Sequence, residues 1–335
     1  MSRSVVAAMT AYTLELREAE IKLNQNESPF DFPRALKDEV LARMAQRAWN
    51  RYPDFESASL RTAIANAYGL TADDILVGNG SNELLAATIG AFVGPGTPVI
   101  FPRPTFSLYE KLVTIAGGLP IAIDFEPDSG LLPLEAMLAA IAKYENAVVM
   151  VCSPNNPTGS VLPNGGLDAL LATNAMILLD EAYGDFAKAG LPALHDNVVT
   201  FRTFSKAWGL AALRVGWLAS TSANCREIRK VKLPYSLNII SEAIAEAALA
   251  NREVRDRNVA YILSERERLF RSMQPFVDVF PTQANFICFR SERPLFDALA
   301  SRGILIRQVA NGWLRVSIGT REQNDAFLAA LKELA

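Results

Sequence analysis

Short apolar runs and amphipathic segments alternate through the middle of this chain. The runs are continuous and bounded by turn residues, as expected of strands buried on both faces: ILVGNG, PVIFPRPTF, NAVVMVCSP, AMILLDEAY, NVVTFRTFSK and LRVGWLAS. Several segments between them place apolar residues every three to four positions, which predicts helices, for example SNELLAATIGAF, LYEKLVTIAGG and LPLEAMLAAIAKY. Alternating strands and helices predict an α/β fold with a mostly parallel sheet and a ligand site at the carboxyl ends of its strands.

The hydrophobic pattern changes near residue 239. Long charged helices begin there, and short strands follow around ANFICFR, ILIRQ and WLRVSIG, which together predict a smaller α+β unit. The segment KLNQNESPF near the start is extended and too short to fold alone, so we expect it to join this unit. The predicted organisation is an N-terminal arm over residues 1–30, a large domain over residues 31–240 and a small domain over residues 241–335.

Composition narrows the class of protein without identifying it. Hydrophobic residues make up 50% and charged residues 21% of the chain, which is typical of a soluble globular protein. The net charge of -3 argues against nucleic-acid binding, and no apolar run is long enough to cross a membrane. The N-terminus matches neither a secretory signal nor a transit peptide, so we expect a cytoplasmic location. The cysteines form no CxxC pair, and we expect no metal site.

A glycine-rich turn, GNGSN at residues 78–82, follows the first predicted strand. Glycines let a ligand approach the backbone closely, and the helix that begins after them offers unpaired N–H groups, which favours an anion site. The turn does not match the dinucleotide motif GxGxxG, because Glu83 stands where the third glycine belongs. A plain strand-to-helix turn would have the same composition.

Two further polar clusters follow the third and fourth strands. SPNNPTG presents Asn155 and Asn156 from a loop stiffened by prolines, although turn chemistry alone explains most such strings. The fourth strand ends in Asp180 and Glu181, with Tyr183 close behind. A strand ending in two acids resembles the magnesium-binding element of P-loop NTPases, but the chain contains no Gly-Lys pair and therefore no P-loop motif.

The fourth cluster, TFSKAWGLAALRVGW, sets Lys206 and Arg214 among apolar neighbours. Most lysines in such segments lay the stem on apolar surface and extend the ammonium into water. A lysine held in a desolvated pocket instead has a lowered pKa, and its amine can attack carbonyl carbon. Together with a carboxylate, a phenol, an amide and an anion site at neighbouring strand ends, this second interpretation matches what pyridoxal phosphate requires of a protein.

The ordered motifs make the chain similar to a known family. It resembles the fold-type I, pyridoxal phosphate dependent aminotransferases, and within them most of all the histidinol-phosphate aminotransferases. The resemblance covers nearly the whole chain through LNQNESPF, NRYPD, VGNGSNE, PRPTFSLY, SPNNPTG, LLDEAY, TFSKAWGLAALRVG and WLRVSIGTREQND. It implies a large domain with a mostly parallel sheet that binds the cofactor, and a smaller α+β domain.

The resemblance implies a role for each residue around the cofactor ring. Lys206 would bind the cofactor aldehyde covalently and carry a proton to and from the substrate, while Asp180 would keep the pyridine nitrogen protonated. Asn156 and Tyr183 would hydrogen-bond the phenolic oxygen of the ring. Phe106 would stack on the ring face, where the family often has tyrosine.

The remaining implied contacts are with the cofactor phosphate and the substrate. The phosphate would be held by Ser81, Asn82, Thr203, Ser205 and Arg214. Arg315 would grip the substrate's anionic arm, and Arg307 resembles the arginine that histidinol-phosphate aminotransferases add for the substrate phosphate. Asn24 and Tyr12 would line the substrate cavity. Tyr52 matches a tyrosine that reaches the cofactor and substrate in the neighbouring subunit, which implies a homodimer with composite active sites.

The implied reaction converts L-histidinol phosphate and 2-oxoglutarate to imidazole acetol phosphate and L-glutamate through a ping-pong cycle. Closely similar chains act on aromatic amino acids, and Arg307 is the main sign of a phosphorylated substrate. A threonine-phosphate decarboxylase shares the scaffold, but its relatives carry a histidine- and glycine-rich motif where this chain has LNQNESPF. A non-enzymatic regulator module would follow a DNA-binding domain, and few residues precede LNQNESPF here.

Overall fold

The computed structural model of the protein describes residues 2–11, 17–126, 129–188, 190–309 and 312–334. Its strands in chain order are β1 (Ile21–Lys22), β2 (Ile75–Asn79), β3 (Pro98–Arg103), β4 (Leu119–Asp124), β5 (Val148–Cys152), β6 (Met176–Asp180), β7 (Val198–Thr203), β8 (Val215–Ala219), β9 (Asp278–Val279), β10 (Phe286–Arg290), β11 (Ile304–Leu305), β12 (Arg307–Gln308) and β13 (Leu314–Ser317). Its α-helices are α1 (Ser4–Ala7), α2 (Arg34–Ala45), α3 (Ala58–Tyr68), α4 (Ser81–Phe92), α5 (Leu108–Ala116), α6 (Leu134–Ile141), α7 (Gly166–Leu171), α8 (Ser222–Val231), α9 (Ile239–Ala250), α10 (Arg252–Met273), α11 (Leu295–Ala300) and α12 (Arg321–Leu334). Among these helices, none has both the length and the apolar composition needed to span a membrane.

Seven of the strands form one large sheet in the order β2-β8-β7-β6-β5-β3-β4. β8 runs antiparallel to its neighbours β2 and β7, whereas the other neighbouring pairs are parallel. The predicted mostly parallel sheet is therefore confirmed. β4 is a strand that the apolar pattern does not reveal, because it lies at the sheet edge, is at least partly exposed along its whole length and contains Pro120.

The large sheet is covered on both faces because alternate residues of its central strands point to opposite sides. In β5, Val149 and Val151 pack into one apolar cluster, whereas Val148 and Met150 pack into the other. α6 contributes Met137 to the first cluster, and α4 contributes to the second. Burial on both sides explains why the predicted strands are continuous apolar runs and do not alternate with polar residues.

The C-terminal part of the chain forms a smaller antiparallel sheet in the order β12-β13-β10-β9. β1 of the N-terminal arm pairs in parallel with β11, so that Ile21 lies opposite Ile304 and Lys22 opposite Leu305. The arm thus joins the C-terminal part of the fold through main-chain hydrogen bonds. Position 241 falls inside α9, which packs against α2 and α3. The domain boundaries given above therefore stay a prediction.

The carboxyl ends of the parallel strands lie along one edge of the large sheet. Cys152 of β5 and Asp180 of β6 are register partners, and Thr203 ends the neighbouring strand β7. α4 begins directly after β2 and brings its N-terminus to the same region. Residues of this edge, of the N-terminal arm and of β12 and β13 line one shared cavity.

Candidate active site

The cavity at the carboxyl ends of the strands has a volume of about 650 Å³. The structure brings nearly all of the predicted site residues to its walls: Asn24, Ser81, Asn82, Phe106, Asn156, Asp180, Tyr183, Thr203, Ser205, Lys206, Arg214, Arg307 and Arg315. Tyr12 lies outside the described residues, and Tyr52 lies on the surface of its own chain with 81% of its area exposed. His195, for which the sequence suggests no role, is exposed in a loop and contacts Asn197.

Lys206 follows β7 and directs its amine into the cavity. Its Nζ donates a hydrogen bond of 3.0 Å to the carbonyl oxygen of Gln25, in the N-terminal arm, and lies 5.8 Å from the ring centroid of Tyr183. Burial, together with the positive charge of Arg315, lowers the pKa of Lys206 to about 8. A larger share of the amine is therefore neutral and nucleophilic near neutral pH than in an ordinary lysine.

Asp180 ends β6 with its carboxylate buried in the cavity wall. Its Oδ1 accepts a hydrogen bond of 3.0 Å from the main-chain N–H of Ala182, and its Oδ2 accepts one of 2.7 Å from the hydroxyl of Tyr109. Burial raises the pKa of Asp180, and these two hydrogen bonds oppose that rise. Tyr109 is a functional candidate that the sequence does not reveal, since it looks like one more apolar residue of α5.

The predicted anion site lies where α4 begins, and two glycines make room for it. A Cβ on Gly80 would lie 2.4 Å from Nη2 of Arg214, and a Cβ on Gly216 would lie 2.2 Å from the main-chain nitrogen of Ser81. Arg214 has a left-handed φ of 54°, and its Nη1 donates a hydrogen bond of 3.2 Å to Oγ of Ser205. A guanidinium, a hydroxyl and a helix N-terminus therefore converge on one place, as anion binding requires.

Thr203 shapes the turn that carries Ser205 and Lys206. Its Oγ1 accepts a hydrogen bond of 3.1 Å from the main-chain N–H of Ser205 and lies 3.0 Å from Oγ of the same residue. It also lies 3.2 Å from the carbonyl oxygen of Val215 in β8. Thr203 thus orients the hydroxyl of Ser205 in addition to facing the cavity itself.

Asn156 and Tyr183, the predicted partners of the phenolic oxygen, both bind other residues of the cavity. Oδ1 of Asn156 accepts a hydrogen bond of 2.5 Å from Nη1 of Arg315, and the hydroxyl oxygen of Tyr183 accepts one of 2.9 Å from Nδ2 of Asn26. Burial raises the pKa of Tyr183, which keeps its hydroxyl protonated at neutral pH. Asn26, in the N-terminal arm, is a further contact that the sequence does not reveal.

Two arginines of neighbouring strands line the cavity. Arg307 of β12 and Arg315 of β13 are partners in the antiparallel register, and both line the cavity. Arg315 is held by a hydrogen bond of 2.7 Å from its Nη2 to the carbonyl oxygen of Asn24 and lies 5.2 Å from the ring centroid of Phe286. Adjacent guanidinium groups repel each other unless an anion lies between them, so the pair favours a multiply charged ligand.

The large sheet, the smaller antiparallel unit and the cavity of lysine, carboxylate and arginines define the fold-type I class of α/β enzymes. The chain belongs to the aminotransferase class I and II family, whose sequence model matches residues 18–331. The family predicted from the ordered motifs is therefore confirmed.

Individual relatives agree with this assignment along the whole chain. The chain is 33% identical to a histidinol-phosphate aminotransferase from Thermococcus gammatolerans, with 100% of this chain and 98% of the relative covered. It is 36% identical to a histidinol-phosphate aminotransferase from Chlorobium phaeobacteroides, with 97% and 94% covered. Its structure is similar to that of a histidinol-phosphate aminotransferase from Sinorhizobium meliloti in complex with pyridoxal-5'-phosphate, with a TM-score of 0.89, 26% identity and 99% and 98% of the two chains covered.

Proposed function

We propose that this aminotransferase uses pyridoxal phosphate to move an amino group between L-histidinol phosphate and 2-oxoglutarate in a ping-pong cycle. One observation carries the proposal: Arg307 and Arg315 stand in register on the wall of the same cavity that holds the amine of Lys206. A phosphate carries up to two negative charges, and a pair of guanidinium groups is suited to it. The names of the relatives agree with this substrate.

The residues of the cavity fit pyridoxal phosphate group by group. The amine of Lys206 would bind its aldehyde, and the site made by Ser81, Ser205 and Arg214 would bind its phosphate. Gly80 fits this site because a side chain at position 80 would collide with the guanidinium of Arg214. When bound, pyridoxal phosphate supplies an electron sink for the electron pair that proton removal leaves on the substrate α-carbon.

Lys206 is the proton carrier in this proposal. With its pKa lowered to about 8, its amine is basic enough to take a proton from the α-carbon and acidic enough to return it. Positioned acid–base catalysis of this kind is typically worth about 10² to 10⁴ in rate. The carbonyl of Gln25, which accepts the hydrogen bond of the amine, keeps Nζ on the cavity side of the turn.

Asp180 holds a proton on the ring nitrogen in this proposal. Within the described part of the chain, its hydrogen bonds come from two neutral donors, the hydroxyl of Tyr109 and the main-chain N–H of Ala182. Neither donor neutralises the charge of the carboxylate, so the charge stays available to a cationic partner in the cavity. In buried surroundings, a charged pair of this kind is stronger than it is in water.

The same proposal includes a homodimer with composite active sites. Tyr52, Phe55 and Tyr235 are exposed by 81, 56 and 41% and lie together, since the ring centroid of Tyr235 is 4.6 Å from that of Tyr52 and 5.2 Å from that of Phe55. Leu233, exposed by 68%, lines the same small surface pocket as Phe55. An exposed apolar cluster of this size favours a protein partner, and a second copy would place Tyr52 at the partner's cavity. Mixing Lys206→Ala with Tyr52→Ala subunits then restores activity, because one hybrid site is intact. Two inactive variants that stay inactive after mixing would contradict shared sites.

A cytoplasmic location is proposed as well. It is supported by Cys152, Cys225 and Cys288, which are all buried free thiols and form no disulfide among the described residues. Free thiols are ordinary in a reducing compartment. Labelling of the endogenous protein in fractionated cells tests this location.

The decisive experiment for the substrate is a donor screen in the half-reaction, with Arg307→Ala beside the unaltered protein. We expect the variant to lose roughly 10- to 100-fold in turnover of histidinol phosphate, since a hydrogen bond to a charged group is lost, and to keep turnover of phenylalanine. Arg302→Ala is the matched control, because Arg302 pairs with Glu333 on the surface. Equal losses on both donors would argue against a phosphate role for Arg307, and a donor profile that does not depend on the phosphate would favour an aromatic amino acid aminotransferase. Release of carbon dioxide from threonine phosphate would instead establish a decarboxylase.

A further inference from the structure

Tyr109 is a buried tyrosine whose hydroxyl meets the proposed ring-nitrogen carboxylate. It lies in α5 with 0% of its area exposed, and its hydroxyl donates a hydrogen bond of 2.7 Å to Oδ2 of Asp180. The two residues are 71 positions apart in sequence. Burial raises the pKa of Tyr109 well above its ordinary value, so the hydroxyl stays protonated and stays a donor.

The hydrogen bond from Tyr109 matters because the Asp180 carboxylate could otherwise rotate about its terminal torsion. The terminal torsion of an aspartate is broad, so a single donor does not define the plane of its two oxygens. The main-chain N–H of Ala182 binds Oδ1, and the hydroxyl of Tyr109 binds Oδ2. With one donor on each oxygen, the plane of the Asp180 carboxylate is defined from two sides.

Tyr109 also contacts Phe106, an aromatic residue that lines the active-site cavity. Its ring meets that of Phe106 edge to face, at a centroid distance of 5.8 Å and an interplanar angle of 88°. Such pairs prefer this geometry over a face-to-face arrangement. One side chain therefore touches both the carboxylate and the aromatic ring that are expected to hold the cofactor ring.

We propose that Tyr109 is a positioning residue, which orients the Asp180 carboxylate toward the ring nitrogen of the cofactor and sets the angle of Phe106. This inference rests on the proposed function, because it requires pyridoxal phosphate in the cavity. The competing interpretation is that Tyr109 only fills the core. The two differ in what removal of a single oxygen does, since packing depends on the ring and positioning depends on the hydroxyl.

The test compares Tyr109→Phe with the unaltered protein, both loaded with pyridoxal phosphate that is ¹⁵N-labelled in the ring. We expect the ring-nitrogen resonance of Tyr109→Phe to move toward the deprotonated position, and kcat to fall roughly 10- to 100-fold with little change in KM. Tyr261→Phe is the matched control, because its ring packs on Phe30 and does not line the cavity. A resonance and a kcat equal to those of the unaltered protein would overturn the proposal.

A second substitution covers the case in which Tyr109→Phe does not fold. Replacing Tyr109 by 4-fluorophenylalanine fills the space of the hydroxyl with fluorine but removes the donor to Asp180, so the ring-nitrogen resonance again moves toward the deprotonated position. An unmoved resonance counts against positioning. Borohydride reduction distinguishes a failure of the proposed function from a failure of the role proposed for Tyr109. If no pyridoxyl group is found on Lys206 of the unaltered protein, the proposed function fails; if it is found and the resonances agree, only the role of Tyr109 fails.

Discussion

Asp180 and Glu181 are adjacent carboxylates at the end of β6, and their surroundings differ completely. Asp180 lines the cavity and, among the residues that the structure describes, receives hydrogen bonds only from neutral donors. Glu181 is equally buried, but its Oε2 accepts hydrogen bonds of 3.0 and 2.7 Å from Nε and Nη2 of Arg202. The protein thus compensates one charge within the fold and leaves the other for a ligand.

The compensated side continues as a network of buried and half-buried ions. Asp185 lies 3.5 Å from Nη1 of Arg202 and 3.5 Å from Nη1 of Arg255, which belongs to α10. The guanidinium of Arg255 in turn lies 4.6 Å from the ring centroid of Trp208. Because Trp208 is two residues from Lys206 and Glu181 is next to Asp180, this ionic network supports both proposed catalytic positions from outside the cavity. We therefore expect substitutions in the ionic network to reduce stability, and substitution of Asp180 to reduce the reaction rate.

The largest effect is expected from Asp180→Asn. The amide keeps the shape of the side chain but cannot hold a proton on the ring nitrogen, so kcat should fall about 100-fold or more, as when one preorganised electrostatic group is removed. The urea midpoint should change little. Glu181→Gln is the matched variant, for which steady-state kinetics should show the smaller loss in rate. Equal rate losses in the two variants would abolish the distinction between the two carboxylates.

Arg202→Met should be the most destabilising change on the other side. It leaves the buried carboxylate of Glu181 without its partner, and breaking a buried pair in this way typically costs about 3–5 kcal/mol. Urea unfolding of the purified protein measures the loss. Arg302→Met, on the exposed pair with Glu333, should cost less than about 1 kcal/mol. Similar losses in the two arginine variants would show that the buried network carries no special stability.

The double variant Glu181→Met, Arg202→Met sharpens the same point. Removing both charges leaves no uncompensated carboxylate at position 181, and replacing a buried pair by apolar residues is often neutral. We therefore expect the double variant to recover at least roughly 1 kcal/mol relative to Arg202→Met alone, again by urea unfolding. A double variant no more stable than the single one would mean that packing, and not charge, explains the cost.

The smallest effect is a pH dependence of cofactor-free protein. Burial lowers the pKa of Lys206 from 10.5 to about 8, so between these values the folded state binds fewer protons than the unfolded state. Stability should therefore rise with pH across this window. Below it, where both states are protonated, the penalty for burying the charged amine is largest and constant, and above it, where both states are neutral, the penalty vanishes. The measurement is the difference in urea midpoint between the unaltered protein and Lys206→Met at a series of pH values. A constant difference would contradict the lowered pKa.

Much of the fold could be predicted because strands buried on both faces appear in the sequence as continuous apolar runs. The run SNELLAATIGAF coincides with α4, and Gly69, in left-handed conformation, follows α3 where the pattern predicts a helix end. The direction of β8 and the existence of β4 were not predictable. Strand direction leaves no mark in a local pattern, and an edge strand with Pro120 lacks the continuous apolar run of a buried one.

The cavity residues that stand in sequence motifs could be predicted. The hydrogen bonds that join residues far apart in sequence could not. Lys206, Asp180 and Arg214 stand in recognisable motifs, and all of them line the cavity. The contacts of Tyr109 and Asn26 could not be predicted, because their partners, Asp180 and Tyr183, lie 71 and 157 residues away in sequence. Only the three-dimensional fold shows that the hydroxyl of Tyr109 hydrogen-bonds the carboxylate of Asp180.

The partner of the Lys206 amine is a main-chain carbonyl, that of Gln25. Every amino acid possesses this atom, so alanine scanning would report position 25 as silent while the group that matters goes unprobed. The contact is instead vulnerable to anything that shifts the path of the polypeptide, such as trimming or tagging of the arm upstream of β1. Backbone ester exchange after position 25 weakens that carbonyl as an acceptor. Because the exchange also removes the Asn26 N–H, which donates a hydrogen bond of 2.8 Å to Oγ of Ser317, Ser317→Ala is its matched control.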